Sequence, residues 1–311
     1  MRLAYFGTPE IAVPTLDALV QAGHDVALVV SRPDQPAGRH LHVSTPAVVG
    51  AARRLGLPTA QPDRLGTDEF IGRLRSLAVD VAVVVAYGKL ISPRVLRVPP
   101  RGFVNLHPSL LPRHRGPAPI VWAIASGDET TGVTTMQLDE GMDTGPILLQ
   151  RATPIGEKER TPDLEARLAR MGAELMVETL AALAAGALRP TPQDHAAATT
   201  TPKLDRRHGR IDWTWAAARV GRCARAFDPW PGLYSTFRGV RVKVHCAEDA
   251  GIVGGPQDPG RVLDVSPAGI AVRCGEGGAV LLTELQREGK RRLPADAFII
   301  GERVARGETF G

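Results

Sequence analysis

The sequence predicts an α/β fold in which a doubly wound parallel sheet is followed by a small β-barrel. Three observations predict it. Strand-like and helix-like patterns alternate from the N-terminus to about residue 186, as they do when parallel strands are joined through crossover helices. Val79-Asp-Val-Ala-Val-Val-Val-Ala86 is almost continuously apolar, as a strand covered on both faces must be. Beyond residue 206 the pattern changes to short alternating runs separated by glycine and proline, which suits a barrel. With 311 residues, 43% apolar and 23% charged, the chain is long enough for two domains and a sizeable core.

Arg2 to Phe6 reads as the first strand, and Gly7-Thr8-Pro9 turns the chain into a helix from about Ile11 to Ala22, stopped by Gly23. A single glycine after that strand is not the three-glycine fingerprint of dinucleotide sites, which argues against a nicotinamide cofactor. Val26 to Ser31 is a second strand. Arg32 to Thr45 is a loop rich in Pro, Gly, Arg and His before a helix from about Pro46 to Leu55, and a connection this long marks a segment with work to do. A helix over Asp68 to Leu77 precedes the apolar strand 79–86, which ends at Tyr87-Gly88. Phe103 to His107 is the next strand, closed by Pro108, which cannot donate into a ladder. A short helix follows from Pro119 to Ser126, then strands over Gly132 to Leu138 and Ile147 to Arg151. Thr161 to Gly186 is a long amphipathic helix with Leu164, Leu168, Met171, Leu175, Val177 and Leu180 at helical spacing. The Pro-, Thr- and Ala-rich stretch after it has no periodicity. The expected division is therefore a first domain over 1–188, a linker over 189–206 and a second domain over 207–311.

In the second domain a helix over Ala216 to Ala226 and a rigid turn, Phe227-Asp-Pro-Trp-Pro-Gly232, precede five short runs: Leu233 to Phe237, Val240 to Cys246, Arg261 to Val265, Ile270 to Val272 and Ala279 to Leu285. These fit a barrel of the oligonucleotide-binding (OB-like) type. Residues 207–311 hold 16 Lys/Arg against 12 Asp/Glu, so most of the net +5 lies here. That balance suits a polyanion such as RNA, and is small enough to suit an ordinary solvated surface equally well. Trp213, Trp215 and Trp230 are suited to stacking on bases; packing of the barrel onto the first domain is favoured, because an indole is costly to leave in water. Cys223, Cys246 and Cys274 show no metal-ligand spacing, so reduced thiols and a cytoplasmic, metal-free protein are expected. The chain begins directly with a strand and no apolar run approaches the length of a membrane span, so neither a signal peptide nor a membrane partner is expected.

The chemistry concentrates in Gly102-Phe-Val-Asn-Leu-His-Pro-Ser-Leu-Leu-Pro-Arg-His-Arg-Gly-Pro-Ala-Pro119. Alternation along the strand puts Phe103, Asn105 and His107 on one face and Val104 and Leu106 on the other. Asn105 and His107 fall at the carboxyl end of a strand, where open parallel sheets meet their ligands. An amide offers fixed donors and an imidazole titrates near neutral pH, a pairing suited to a reaction that creates an oxyanion and moves a proton. A carboxylate to orient the imidazole is available in Thr134-Thr-Met-Gln-Leu-Asp-Glu-Gly-Met-Asp-Thr-Gly-Pro146, where Asp143 lies between Gly141 and Gly145. Asp139 and Glu140 compete for the role, and spacing does not choose among the three.

Asn105-Leu-His107, Ser109-Leu-Leu-Pro112, Arg115-Gly116, Ala118-Pro119, and Asp139 with Gly141 and Asp143-Thr-Gly145 resemble the formyltransferases that use 10-formyltetrahydrofolate. Phe6-Gly-Thr-Pro-Glu10, Arg32-Pro-Asp-Gln-Pro-Ala-Gly-Arg39, Val83-Val-Val-Ala-Tyr-Gly88, Ile211-Asp-Trp213 and the 227–232 turn are similar to those members of the family that act on methionyl initiator tRNA. The resemblance implies a Rossmann-like catalytic domain and an OB-like tRNA-binding domain. Asn105, His107 and Asp143 would be catalytic. Backbone around Val85, Tyr87 and Gly88 and around Asp139 and Gly141 would hold the pterin, with Ser109, Leu110, Leu111 and Pro112 lining the folate. Arg39 would reach the acceptor end of the tRNA from the 32–45 loop. The sequence departs from the pattern there, reading Arg39-His-Leu-His where some relatives carry adjacent lysines, so contact through His40 and His42 would depend on pH. The resemblance implies no metal and a monomer.

Other readings are a relative acting on a nucleotide amino-sugar, a hydrolase releasing formate from the same folate, and an RNA-binding module on a degenerate enzyme fold. The Pro-Ala-Gly-Arg loop speaks against the first, and the intact Asn105, His107 and Asp143 against the last.

Overall fold

The computed structural model describes residues 1–37, 42–255 and 258–311. It comprises two compact units, one of residues 1–119, 130–154 and 165–202 and the other of residues 120–129, 155–164 and 203–311. The chain therefore crosses between units four times besides the expected linker, in the two excursions 120–129 and 155–164.

The elements up to residue 184 are, in chain order, β1 (Arg2–Gly7), α1 (Val13–Gln21), β2 (Asp25–Val30), β3 (Gln35–Ala37), β4 (His42–Ser44), α2 (Ala47–Arg54), β5 (Thr59–Ala60), α3 (Asp68–Ser76), β6 (Val81–Val85), α4 (Pro93–Leu96), β7 (Phe103–His107), α5 (Pro119–Ser126), β8 (Thr130–Gln137), β9 (Ile147–Pro154) and α6 (Thr161–Ala184). In the first unit seven strands form one sheet in the order β5-β2-β1-β6-β7-β8-β9. Pairings from β5 to β7 are parallel, and β7, β8 and β9 are antiparallel. Because β2 and β6 flank β1, the winding reverses beside β1, and ligand sites are expected at the carboxyl ends of the strands around that point.

Sequence chemistry explains the elements. Leu3, Ala4, Tyr5 and Phe6 are fully buried, as a central strand requires. Helix α3 starts at Thr67, whose side chain accepts from the Phe70 N–H; Asp68 and Glu69 lie in its first turn and Arg73 and Arg75 in its last, matching the helix dipole. Gly172 of α6 sits so close to Leu106 that an added Cβ would come within 2.5 Å of it. Helix α6 thus covers the Val104/Leu106 face of β7 and leaves Asn105 and His107 on the other.

Two expectations are revised here. The 32–45 segment contains a small antiparallel pair, β3 with β4, where a loop without regular structure was expected; strands of three residues carry too little alternation to be read. The strand expected over 79–86 is confined to Val81–Val85, and Ala86 leaves it with φ +46°, a left-handed conformation that cannot continue a strand.

In the second unit, α7 (Ala217–Ala226), β10 (Leu233–Phe237), β11 (Val240–Val253), β12 (Val262–Ser266), β13 (Gly269–Arg273), β14 (Gly278–Arg287), β15 (Leu293–Pro294) and α8 (Ala295–Glu302) follow. The sheet runs β10-β11-β14-β13-β12, with β15 on β14. Phe310 bridges to Phe237 of β10, and Thr309 to Arg261 just before β12. The C-terminal tail therefore caps both edges of the sheet, which is how a small barrel protects its unpaired strands.

Trp213 is a core residue of this barrel, donating its indole N–H to Ser235 Oγ at 3.0 Å and lying 6.0 Å from the Phe310 ring. That placement replaces the expected docking role, since the indole finds both its apolar packing and its hydrogen bond inside one unit. Trp230 remains 51% exposed. Cys223 and Cys274 are buried, and burial pushes both thiols up to about 11, so they are inert neutral groups.

Candidate active site

Asn105 and His107 are both buried on one face of β7, and antiparallel pairing sets Met136 opposite Asn105 and Thr134 opposite His107. The His107 Nε2 lies 2.9 Å from the His114 carbonyl oxygen. A carbonyl can only accept, so Nε2 carries a hydrogen, and Nδ1 is the nitrogen that takes up or gives away a proton. Nδ1 faces the Asp143 carboxylate, with Oδ2 3.7 Å away. Among the described residues, no hydrogen bond engages the Asn105 amide, which leaves its N–H groups for a ligand.

The loop after β8 leaves the sheet beside the start of β7, where Gln137 pairs with Val104, and folds back to bring Asp143 to His107. Asp143 has φ +55°, unusual for a residue with a side chain, and its Oδ2 accepts the Gly116 N–H at 2.8 Å. Gly116 itself, at φ +108°, packs so tightly that an added Cβ would approach the Thr201 carbonyl to 2.7 Å. The structure thus chooses among the three acids. Asp139 Oδ1 accepts from Gly141 N and Thr144 Oγ1 within its own turn, and Glu140 pairs with exposed Arg97 at 3.5 Å. Only Asp143 meets the imidazole.

Ser109, Leu110, Leu111 and Pro112 lie on the loop that leaves β7. Ser109 is fully buried and donates its hydroxyl to the Arg113 carbonyl at 2.7 Å, so its side chain shapes the loop from within. Thr134 holds the same loop to β8: its hydroxyl donates to the Ser109 carbonyl and accepts from Leu111 N. Nothing in a strand pattern separates a threonine that anchors a loop, as Thr134 does, from one that merely fills a β position.

Residues 191–201 are aperiodic yet belong to the first unit and are closely hydrogen-bonded to the rest of it. Thr191 and Ile147 exchange two backbone bonds of 2.8 Å, Arg115 N donates to the Thr199 carbonyl, and Thr201 N donates to the Arg115 carbonyl. Buried Gln193 donates its amide N–H groups to the carbonyls of Asp143 (2.9 Å) and Gly145 (2.7 Å) and accepts from Arg115 Nε (3.0 Å) and Nη2 (2.7 Å). A polar residue in a Pro- and Thr-rich stretch gives no sign in sequence that it will be buried.

Val85 ends β6 with its side chain buried, and Tyr87 is a core residue, its ring 5.6 Å from that of Phe6 at a near-perpendicular angle. Among the described residues the buried Tyr87 hydroxyl has no hydrogen-bond partner, and burial, opposed by the charge of Arg32, pushes it up to about 12. Gly88 follows with φ +79°, and the exposed 88–90 stretch presents Leu90, while the 139–145 loop presents Met142; both are large apolar side chains left in solvent. Arg39 lies outside the described residues. Among the described residues, no group of three or more His, Cys, Asp or Glu is arranged to hold a metal ion, and no helix is long and apolar enough to cross a membrane.

Residues 1–180 match the Formyl transferase family model, and residues 203–303 match that of the formyl transferase C-terminal domain. The chain belongs to the formyl transferase family. Curated relatives of this formyltransferase include the methionyl-tRNA formyltransferase of Anaeromyxobacter dehalogenans, 47% identical over 93% of each chain, and that of Acidobacterium capsulatum, 45% identical over the full length of both. Solved structures share the fold. HypX from Aquifex aeolicus in complex with tetrahydrofolic acid superposes with a TM-score of 0.63 at 21% identity; the match covers 97% of the formyltransferase but 47% of HypX, so the chain spans about half of that protein. An N-formyltransferase from Helicobacter canadensis, in complex with folinic acid and dTDP-3-aminofucose, gives a TM-score of 0.67 at 14% identity, with 92% and 98% of the two chains covered.

Proposed function

We propose that this formyltransferase moves the formyl group of 10-formyltetrahydrofolate to the α-amino group of methionyl initiator tRNA. The observation that carries the chemistry is the single buried face on which an unengaged amide, Asn105, stands two residues from an imidazole whose Nδ1 faces a carboxylate. The acceptor is supported by the relatives named for it, which align with the chain from end to end.

In this mechanism Asn105 donates a hydrogen bond to the formyl oxygen as attack by the amine places negative charge on it. His107 takes up the proton lost by the amine at Nδ1 and gives a proton to N10 of the folate as the oxyanion collapses and the bond from the formyl carbon to N10 breaks, releasing tetrahydrofolate, while its Nε2–H, held by the His114 carbonyl, keeps the ring from rotating. Asp143, fixed by the Gly116 N–H, stabilises the resulting imidazolium. Leu90 and Met142, on the two loops that the resemblance associates with the pterin, offer apolar surface to a flat heterocycle, and the backbone beside them offers donors and acceptors.

Incubation of the purified chain with 10-formyltetrahydrofolate and methionyl initiator tRNA is expected to yield formylmethionyl-tRNA; an acceptor that stays unmodified would overturn the proposal. The tRNA contact has its own test. Arg39→Ala, which removes one charge-assisted contact, is expected to raise KM for tRNA roughly tenfold with kcat little changed. An unaltered KM would remove Arg39 from the tRNA interface.

A further inference from the structure

We infer that Gln193 is a positioning residue for the reaction, setting Asp143 against His107 from a segment that carries no reacting group. The inference rests on the proposed formyl transfer. The geometry forms a closed circuit. Gln193 holds the Asp143 and Gly145 carbonyls through its N–H groups and the Arg115 guanidinium through its oxygen; the residue after Arg115 is Gly116, whose N–H holds the Asp143 carboxylate. Arginine only donates and carbonyls only accept, so the orientation of the Gln193 amide is determined and all four of its bonds are made.

The circuit has two consequences. Asp143 is kept in its left-handed conformation, which its neighbours must impose because the residue does not favour it. The distance between the two loops that meet at His107 is set by the length of one glutamine side chain. A shorter or apolar residue would release Asp143 from above while leaving His107, Asn105 and the sheet beneath them unchanged. The same side chain also answers the needs of Arg115, a buried cation whose side-chain partners among the described residues, Gln193 and exposed His195, carry no carboxylate.

This last feature provides a discriminating variant. In Gln193→Glu the carboxylate still accepts from Arg115 and adds the missing countercharge, so folding is retained, but the two carbonyls lose their donors and face an anion. Expected is a fall in kcat of about 10- to 100-fold, the scale for a small misplacement of a reacting group, with both KM values held within about threefold. The rising limb of kcat against pH is expected to move in the same direction as in Asp143→Asn, a shift that loss of folded protein alone would not produce. Gln193→Met, of similar volume and unable to bond either partner, is assayed below its melting midpoint by the same criteria and carries the test if Gln193→Glu proves unstable. A kcat within about threefold of the parent, or a lower kcat with an unmoved pH limb, would overturn the inference. The parent is run alongside with each acceptor. If it formylates something other than methionyl initiator tRNA, the functional proposal fails, while the variant-to-parent ratio on that other acceptor still decides the role of Gln193.

Discussion

Asn105→Ala is expected to lower kcat by roughly 100- to 1,000-fold, the effect of removing one donor from a preorganised oxyanion site. Three observations place the loss in the chemical step. The amide lies on the same face as His107, among the described residues it makes no hydrogen bond that the substitution would break, and it is buried, so its dipole acts where water is largely excluded. In the proposed mechanism tRNA and folate are bound by other parts of the chain, and KM for each is expected to change by less than about threefold. The substitution shortens a strand residue without touching the backbone ladder, so the melting temperature serves as a control for folding. Steady-state kinetics that leave kcat intact would remove Asn105 from the reacting carbon.

Asp143→Asn is expected to lower kcat by about 100- to 10,000-fold, the range of general acid–base catalysis. The amide is isosteric and retains an oxygen for the Gly116 N–H, so the loop keeps its anchor and only the charge is lost. With the carboxylate gone, an imidazolium at His107 loses the negative group facing Nδ1 at 3.7 Å. The pH profile of kcat is expected to change with it. A variant with full activity and the parental profile would exclude Asp143 from the proton transfer.

Much of the framework that holds these groups is legible in the sequence, for reasons that also mark where legibility ends. Val81–Val85 is readable because a strand covered on both faces must be apolar throughout, and α6 because a long helix repeats its buried positions many times. Asn105 and His107 are readable as a pair because strand alternation puts residues two apart on one face and Pro108 ends the strand beside them. Asp143 could be named only with two rivals. The 139–145 loop has no period, and which acid reaches the imidazole depends on how the loop folds back over β7, a contact 36 residues distant in sequence.

The segment after α6 shows the same limit more sharply. Its composition announces an absence of helix and strand, which is correct, and says nothing of Gln193 passing between Asp143 and Arg115. Long-range hydrogen bonds of single polar residues leave no periodic trace. Trp213 fails for a different reason: the rule that indoles avoid water is sound, but it does not say which core will receive the ring, and Ser235 within the barrel supplies the partner for its N–H.

The most direct test of the whole account is transfer of labelled formyl from 10-formyltetrahydrofolate by the purified protein, with methionyl initiator tRNA, methionyl elongator tRNA and a nucleotide amino-sugar offered in parallel. The account predicts label on the methionyl initiator tRNA alone, and its loss by at least about 100-fold in Asn105→Ala. Label on the sugar, or formate released without an acceptor, would keep the chemistry of the site and contradict the assigned function.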